Sequence, residues 1–211
     1  WAAKRFWNTG NDIVTTEQNK TEVENEVLRL KQLQEILSEF MNHAKKNLAN
    51  IKVANFHLAV EVVGSGEPSP ASGITPDEYS ALDQRKDFII WLLEPMRSTT
   101  RQPNKWSGTM QHPAHNSKVG DTLTCFVHFA YQWTEKTMVF ADLQTMRVGD
   151  PESGGEWQVL FDVMTHTLGG DSGVGDHGLK GIQEFVNMHQ CNKKCNDLLL
   201  ASLKEENTQK N

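Results

Sequence analysis

The sequence is poor in the residues that would point to an oxidising compartment or a membrane. It has three cysteines in 211 residues, too few and too odd a number for a disulfide framework. Its longest apolar run, FIIWLL at 88–93, falls far short of the roughly 20 residues a membrane-spanning helix needs. The opening stretch WAAKRFW reads as a truncated start and has no signal-like apolar core. Basic charge is also scarce. Lysine and arginine number 21 against 27 acids, a net charge of −6, which argues against non-specific binding to nucleic acid. No internal repeat is visible. These absences leave a cytoplasmic-type chain, long enough for one large domain or two small lobes around a buried core.

Two of the cysteines stand together in HQCNKKC, residues 189–195. His189 and Cys191 are two apart and cannot share a helical face, whereas Cys191 and Cys195, four apart, can. The economical geometry is a helix ending near His189, a turn, and a new helix carrying both cysteines. Two thiolates and an imidazole on one point suit tetrahedral zinc, which still needs a fourth ligand from elsewhere. A redox pair and a buried apolar pair of thiols are the competing readings.

Along the chain, apolar residues from Val23 to Leu48 recur at threes and fours. This predicts an amphipathic helix over 15–48, or two in series, with Thr21 and Glu24 spaced as a capping box. IKVANFHLAVEVV at 51–63 reads as one strand or two, and 64–76 as a loop. A short helix at 77–87 leads into DFIIWLLEP, a buried strand stopped by Pro95. Residues 96–120 are polar and irregular, and TLTCFVHFAYQWT fits helix or strand. KTMVFADLQ and EWQVLFDVM each read as one strand. A glycine-dense loop at 169–178 precedes the helices around the cysteines, and the tail at 204–211 is charged and frayed. Strands come mostly early and helices late, which predicts an α+β fold rather than βαβ alternation.

The acids are the chemically suggestive residues. Asp142 and Gln144 are two apart at a strand end and should leave the same face, an arrangement that suits a hard cation. Asp162 again closes an apolar run. A lone acid after a strand is most often a cap or turn residue, so the weight rests on the three together. Lys4 lies inside the first apolar stretch, as an edge gatekeeper or as a phosphate-holding strand lysine. GVGDHG at 173–178 matches the dinucleotide fingerprint in letters only, because THTLGGDS before it is not a strand. A flexible loop, an anion-binding turn or a substrate-contacting loop remain open for it.

Together these pieces resemble the alpha-type protein kinases, which include myosin heavy-chain kinases and channel-fused kinases. The resemblance runs through AAKRF, LLEP, HFAY, DLQ, LFDVMTH, GVGDHGLKGI and HQCNKKC, nearly the whole chain, and its tone is most like the fungal members. It implies a two-lobed, kinase-like α+β fold. Residues 1–94 would form a partial N-terminal lobe, and 95–203 a helical catalytic lobe stabilised by zinc. It implies a serine/threonine kinase that takes ATP, Mg2+ and Zn2+ and acts on a protein substrate in the cytoplasm, without nucleic-acid or membrane partners.

By the same resemblance Lys4 contacts the nucleotide phosphates and Glu94 is the hinge acid that meets the adenine. Asp142 is the catalytic aspartate, and Gln144 and Asp162 are magnesium ligands. His128 completes a zinc set with His189, Cys191 and Cys195, with Cys125 in reserve. Gly173, Gly175, Asp176 and Gly178 belong to the substrate-facing loop. This chain departs from the family in four ways. Thr145 replaces the usual glycine after DLQ, Val163 the usual proline after the second aspartate, and Asp176 the usual asparagine. The hairpin that covers the phosphates in the family would lie before Lys4, so the lobe is expected to be incomplete and to hold ATP weakly without it. The alternative implied by these departures is a zinc-stabilised pseudokinase or scaffold.

Overall fold

The computed structural model describes residues 1–6, 14–44, 47–63, 68, 70–72, 88–98, 100–150, 152 and 154–203. The helix expected at 77–87 and the tail at 204–211 lie outside the described residues. The chain divides into two units: Trp1–Leu28 with Asn55–Ser98, and Arg29–Ala54 with Thr99–Asn211. Among the described residues, no helix is long and apolar enough to cross a membrane.

The first unit is built on an antiparallel sheet in which β4 (Phe88–Glu94) lies between β1 (Ala2–Lys4) and β3 (His57–Val62). Lys4 and Leu58 both stand opposite Leu92, which is fully buried. Helix α1 (Thr16–Ala44) contributes its first half here. Its start at Thr16 lies five residues before the expected capping box. Thr15 Oγ1 accepts from the Gln18 N–H and Gln18 Oε1 accepts from the Thr15 N–H, so these two form the box instead. Asn19, on the buried face, donates to the Ile90 carbonyl and accepts from the Phe6 N–H, tying helix to sheet.

The second unit holds the sheet β2–β8–β7–β5, formed by Ile51–Val53, Glu156–Leu160, Gln144–Gly149 and Asn104–Lys105, and the pair β6–β9, formed by Met138–Ala141 and Met164–Thr167. KTMVFADLQ and EWQVLFDVM are therefore not single strands. Each is broken at its aspartate, and five of the nine described strands lie after residue 100, not early in the chain. The β6–β9 and β7–β8 ladders keep one antiparallel register across the break. They form one ribbon with two corners, at Asp142 (φ 53°) and Asp162 (φ 50°). Left-handed backbone at a non-glycine residue falls preferentially on Asp or Asn.

TLTCFVHFAYQWT proves helical. It belongs to α2 (Lys118–Trp133), capped by Ser117, whose hydroxyl accepts from the Gly120 N–H. Ten of its residues are buried, which blurs the periodicity that would have separated helix from strand. Phe126 stacks on Phe140 of β6 and meets Phe40 of α1 edge-on, each at 5.5 Å. Helices α3 (Gly178–Met188) and α4 (Lys193–Asp197) complete this unit.

Candidate active site and metal centre

The four residues expected to bind zinc are gathered in the second unit. His128 comes from the buried face of α2 and His189 from the C-cap of α3, where its N–H donates to the Phe185 carbonyl. Asn192 caps α4 by accepting from the N–H groups of Lys194 and Cys195. Only Cys195 rides on the new helix, and Cys191 sits in the turn before it, so the two thiols do not share a helical face as expected. The four ligand atoms nonetheless all lie within 4.8 Å of one another.

The protonation pattern suits a cation. His128 Nε2 lies 3.0 Å from the Ala201 carbonyl and so carries its hydrogen there, leaving Nδ1 as a lone pair 3.7 Å from Cys191 Sγ. The Cys195 thiol is pushed well down from its ordinary value, first by the hydrogen bond from Cys125 and, against burial, by its polar surroundings at His189 and Asn192. The same bond raises Cys125, a buried thiol that stands outside the four-atom set. Two sulfurs and two ring nitrogens at this spacing could hold zinc.

The acidic corner is a second construction in the same unit. Asp142 Oδ1 lies 2.8 Å from Lys105 Nζ on β5, a residue that sequence pattern gave no reason to single out. The segment after Lys105 laces onto the corner. The Asp142 N–H donates to Gly108, Leu143 N–H to Ser107 Oγ, and Trp106 N–H to the Leu143 carbonyl. Gln144 opens β7 opposite Lys105. The parity argument that put Asp142 and Gln144 on one strand face fails, because the chain turns left-handed at Asp142 and leaves one sheet for another.

Thr145, in place of the family's glycine, has a packing role. Its fully buried hydroxyl donates to Gln158 Oε1 and accepts from Trp106 Nε1, both at 2.8 Å. Val163, in place of proline, is buried beside the second corner.

Asp176 turns inward. Its two oxygens accept five hydrogen bonds, from Thr167 N–H and Oγ1, Ser172 N–H and Oγ, and Gly178 N–H, over 2.6–3.1 Å. Burial alone would raise this carboxyl, but the bonds from Thr167, Ser172 and Gly178 win and hold it at about 2. The negative charge that Asp176 brings in place of asparagine is thus enclosed within the loop, whose Gly173, Gly175 and Gly178 all take positive φ. No strand runs into Gly173, since β9 ends at Thr167. His166, without a role in the sequence reading, is the joint beneath the loop. Its Nε2 donates to the Thr109 carbonyl and its Nδ1 accepts from the His177 N–H, which fixes a neutral ring. Gly181 of α3 lies against that ring with no space for a β-carbon.

In the first unit, Lys4 and Glu94 meet directly. Lys4 Nζ is 2.5 Å from Glu94 Oε2, and Arg97 holds Oε1 at 2.9 Å. The Glu94 carboxylate is completely buried by this arrangement.

Comparison with known proteins places this architecture. The model of the alpha-kinase family matches residues 2–195. Myosin heavy chain kinase B of Dictyostelium discoideum is 29% identical over 124 residues, 58% of this chain and 15% of that protein. Alpha-protein kinase 1 of the same organism is 31% identical over 101 residues, 44% of this chain and 7% of that protein. The crystal structure of the apoenzyme alpha-kinase domain of myosin-II heavy chain kinase A superposes with a TM-score of 0.60 at 18% identity, covering 93% of this chain and 62% of that one. The ADP complex of myosin heavy chain kinase A gives 0.56 at 19%, covering 86% and 59%. The chain thus spans only a small part of the curated relatives it matches, and their source lends no support to the expected fungal affinity. With a family match over nearly its whole length and the fold of that family's kinase domain, the chain belongs to the alpha-kinase family.

Proposed function

We propose that the chain is the catalytic domain of a cytoplasmic protein serine/threonine kinase, using ATP and magnesium and pinned by one structural zinc. The observation that carries this reading is the corner at Asp142, where a left-handed turn and the Lys105 ion pair aim one carboxylate within a family-matched frame. Asp142 orients the attacking hydroxyl of the protein substrate and accepts its proton. Lys105, mostly exposed beside it, offers a cation to the transferred phosphoryl group. Gln144 and Asp162 are the magnesium ligands, and Lys4 holds nucleotide phosphates. Magnesium held by Gln144 and Asp162 would supply positive charge to offset that of the phosphates. Because the Glu94 carboxylate is engaged by Lys4 and Arg97, hinge contact with adenine falls to its main chain. Catalysis is then mostly positioning and charge compensation.

His128, His189, Cys191 and Cys195 hold the zinc, which cross-links α2 to the ends of α3 and α4 and takes no part in the reaction. The inward bonding of Asp176 weakens the scaffold reading, since its charge is not presented to a phosphate. Transfer of labelled phosphate from ATP to a serine- or threonine-bearing protein, lost in Asp142→Asn, is the test. Transfer that survives in that variant would reject the assignment of the catalytic acid, and no transfer by the parent would favour the scaffold.

A further inference from the structure

Glu94 is shared by two cations that reach it from different parts of the chain. Lys4 comes from β1, whose register sets Ala2 opposite Glu94. Arg97 comes from the segment just past Pro95. The carboxylate has no exposure, while Lys4 keeps 31% and Arg97 22% of theirs. A buried carboxylate with one cation resists separation, because removing its partner strands an uncompensated charge. With two cations the balance differs. Either one can leave while the other keeps the carboxylate paired.

We infer that Arg97 is a positioning residue for nucleotide binding. It holds Glu94 when Lys4 turns from that carboxylate to a phosphate of the nucleotide, and so removes the electrostatic barrier to Lys4's transfer. The inference rests on the kinase reading, and it concerns a residue outside every motif that carries the family resemblance. Arg97 itself need touch neither the nucleotide nor the reacting atoms. Its bond to Oε1 is independent of the Lys4 bond to Oε2, which is the geometry such a hand-over requires. A guanidinium suits the role better than an ammonium only in its fixed planar fork, so lysine at this position should substitute substantially.

The experiment is a calorimetric titration of the parent and its variants with magnesium-ATP, alongside thermal melts that show each to be folded. Arg97→Gln should raise the dissociation constant about tenfold or more, with kcat at saturating ATP little changed. Arg97→Lys should stay near the parent. In a Glu94→Gln background, where no buried charge needs compensation, the Arg97→Gln effect should shrink to within about twofold, as a double-mutant cycle reads it. Unchanged binding in Arg97→Gln, or an undiminished loss in the Glu94→Gln background, overturns the inference and leaves the kinase reading intact. A parent with no saturable nucleotide binding removes both.

Discussion

The two polar constructions of the second unit differ in what they contain and in what they lack. In the histidine–cysteine cluster, three of the four residues are buried and their ligand atoms face one another within 4.8 Å. No lysine or arginine belongs to the set. In the corner at Asp142, the carboxylate is 16% exposed and already has its cation, Lys105, which is 62% exposed. The first arrangement converges sulfur and nitrogen electron pairs on a point inside the protein, a configuration that a bound cation would favour. The second is charge-balanced and open to solvent on its lysine side, so Lys105 can turn to a substrate at small cost. On the proposed reading, the site that completes the fold and the site that performs chemistry differ in charge balance and burial.

The comparison breaks most visibly if the metal is removed. Purified protein should contain one zinc per chain. Apparent binding energies of structural zinc reach roughly 10 kcal/mol or more, comparable with the whole stability of a domain at about 5–15 kcal/mol. Cys195→Ala or a strong chelator should therefore unfold or aggregate the second unit. His128→Ala should lose the metal and Cys125→Ala should keep it, because the Cys125 thiol stands outside the four-atom set. Elemental analysis with circular dichroism checks each case. A metal-free protein that melts like the parent would erase the distinction drawn between the two sites.

At the corner the pattern should invert. Asp142→Asn is expected to lower phosphoryl transfer by roughly 100- to 10,000-fold, the range for a positioned acid–base group. Its stability should stay within about 1 kcal/mol, since the ion pair it removes is solvent-exposed on the lysine side. Paired measurements of initial rate and denaturant midpoint decide this. A variant that loses activity only because it unfolds would make the corner structural after all.

Much of this was legible in the residues, and the failures have physical causes. The spacing in HQCNKKC foretold a helix end and a turn at His189, because backbone geometry there follows from local capping. It misplaced Cys191, since the side chain that caps α4 is Asn192, one residue further on. The strand parity of Asp142 and Gln144 misled because alternation assumes a continuous strand, and a single left-handed residue cancels it. Lys105 and Arg97 were invisible for another reason. Each lies in a polar stretch without periodicity, and its partner is set by tertiary structure. His166 could have been suspected only from Gly181, a glycine inside a helix that needs a packing reason. Thr145 and Val163 looked like departures from a pattern and are packed parts of the fold.

The smallest effect should come from Asp176, which separates a charge held for structure from one held for chemistry. Its carboxyl sits at about 2 in the folded chain against an ordinary 3.8. A depressed carboxyl stabilises fully above the unfolded value and loses that contribution as pH falls through the folded one. Asp176 should thus contribute about 2 kcal/mol at neutral pH, fading below pH 3.8 towards 2. In Asp176→Asn, the remaining carbonyl can still accept from Thr167 and Gly178. The amide nitrogen cannot accept from the Ser172 N–H, which is left without this partner. The rotatable hydroxyls of Thr167 and Ser172 can reverse and accept instead, so the loss stays modest. The measurement is the difference in denaturant midpoint between parent and variant as the pH is lowered. It should be constant at neutral pH and narrow in acid, because zinc loss and other titrations are common to both proteins. A difference that persists unchanged at the lowest pH where both still fold would mean that shape, not charge, gives Asp176 its place in the loop.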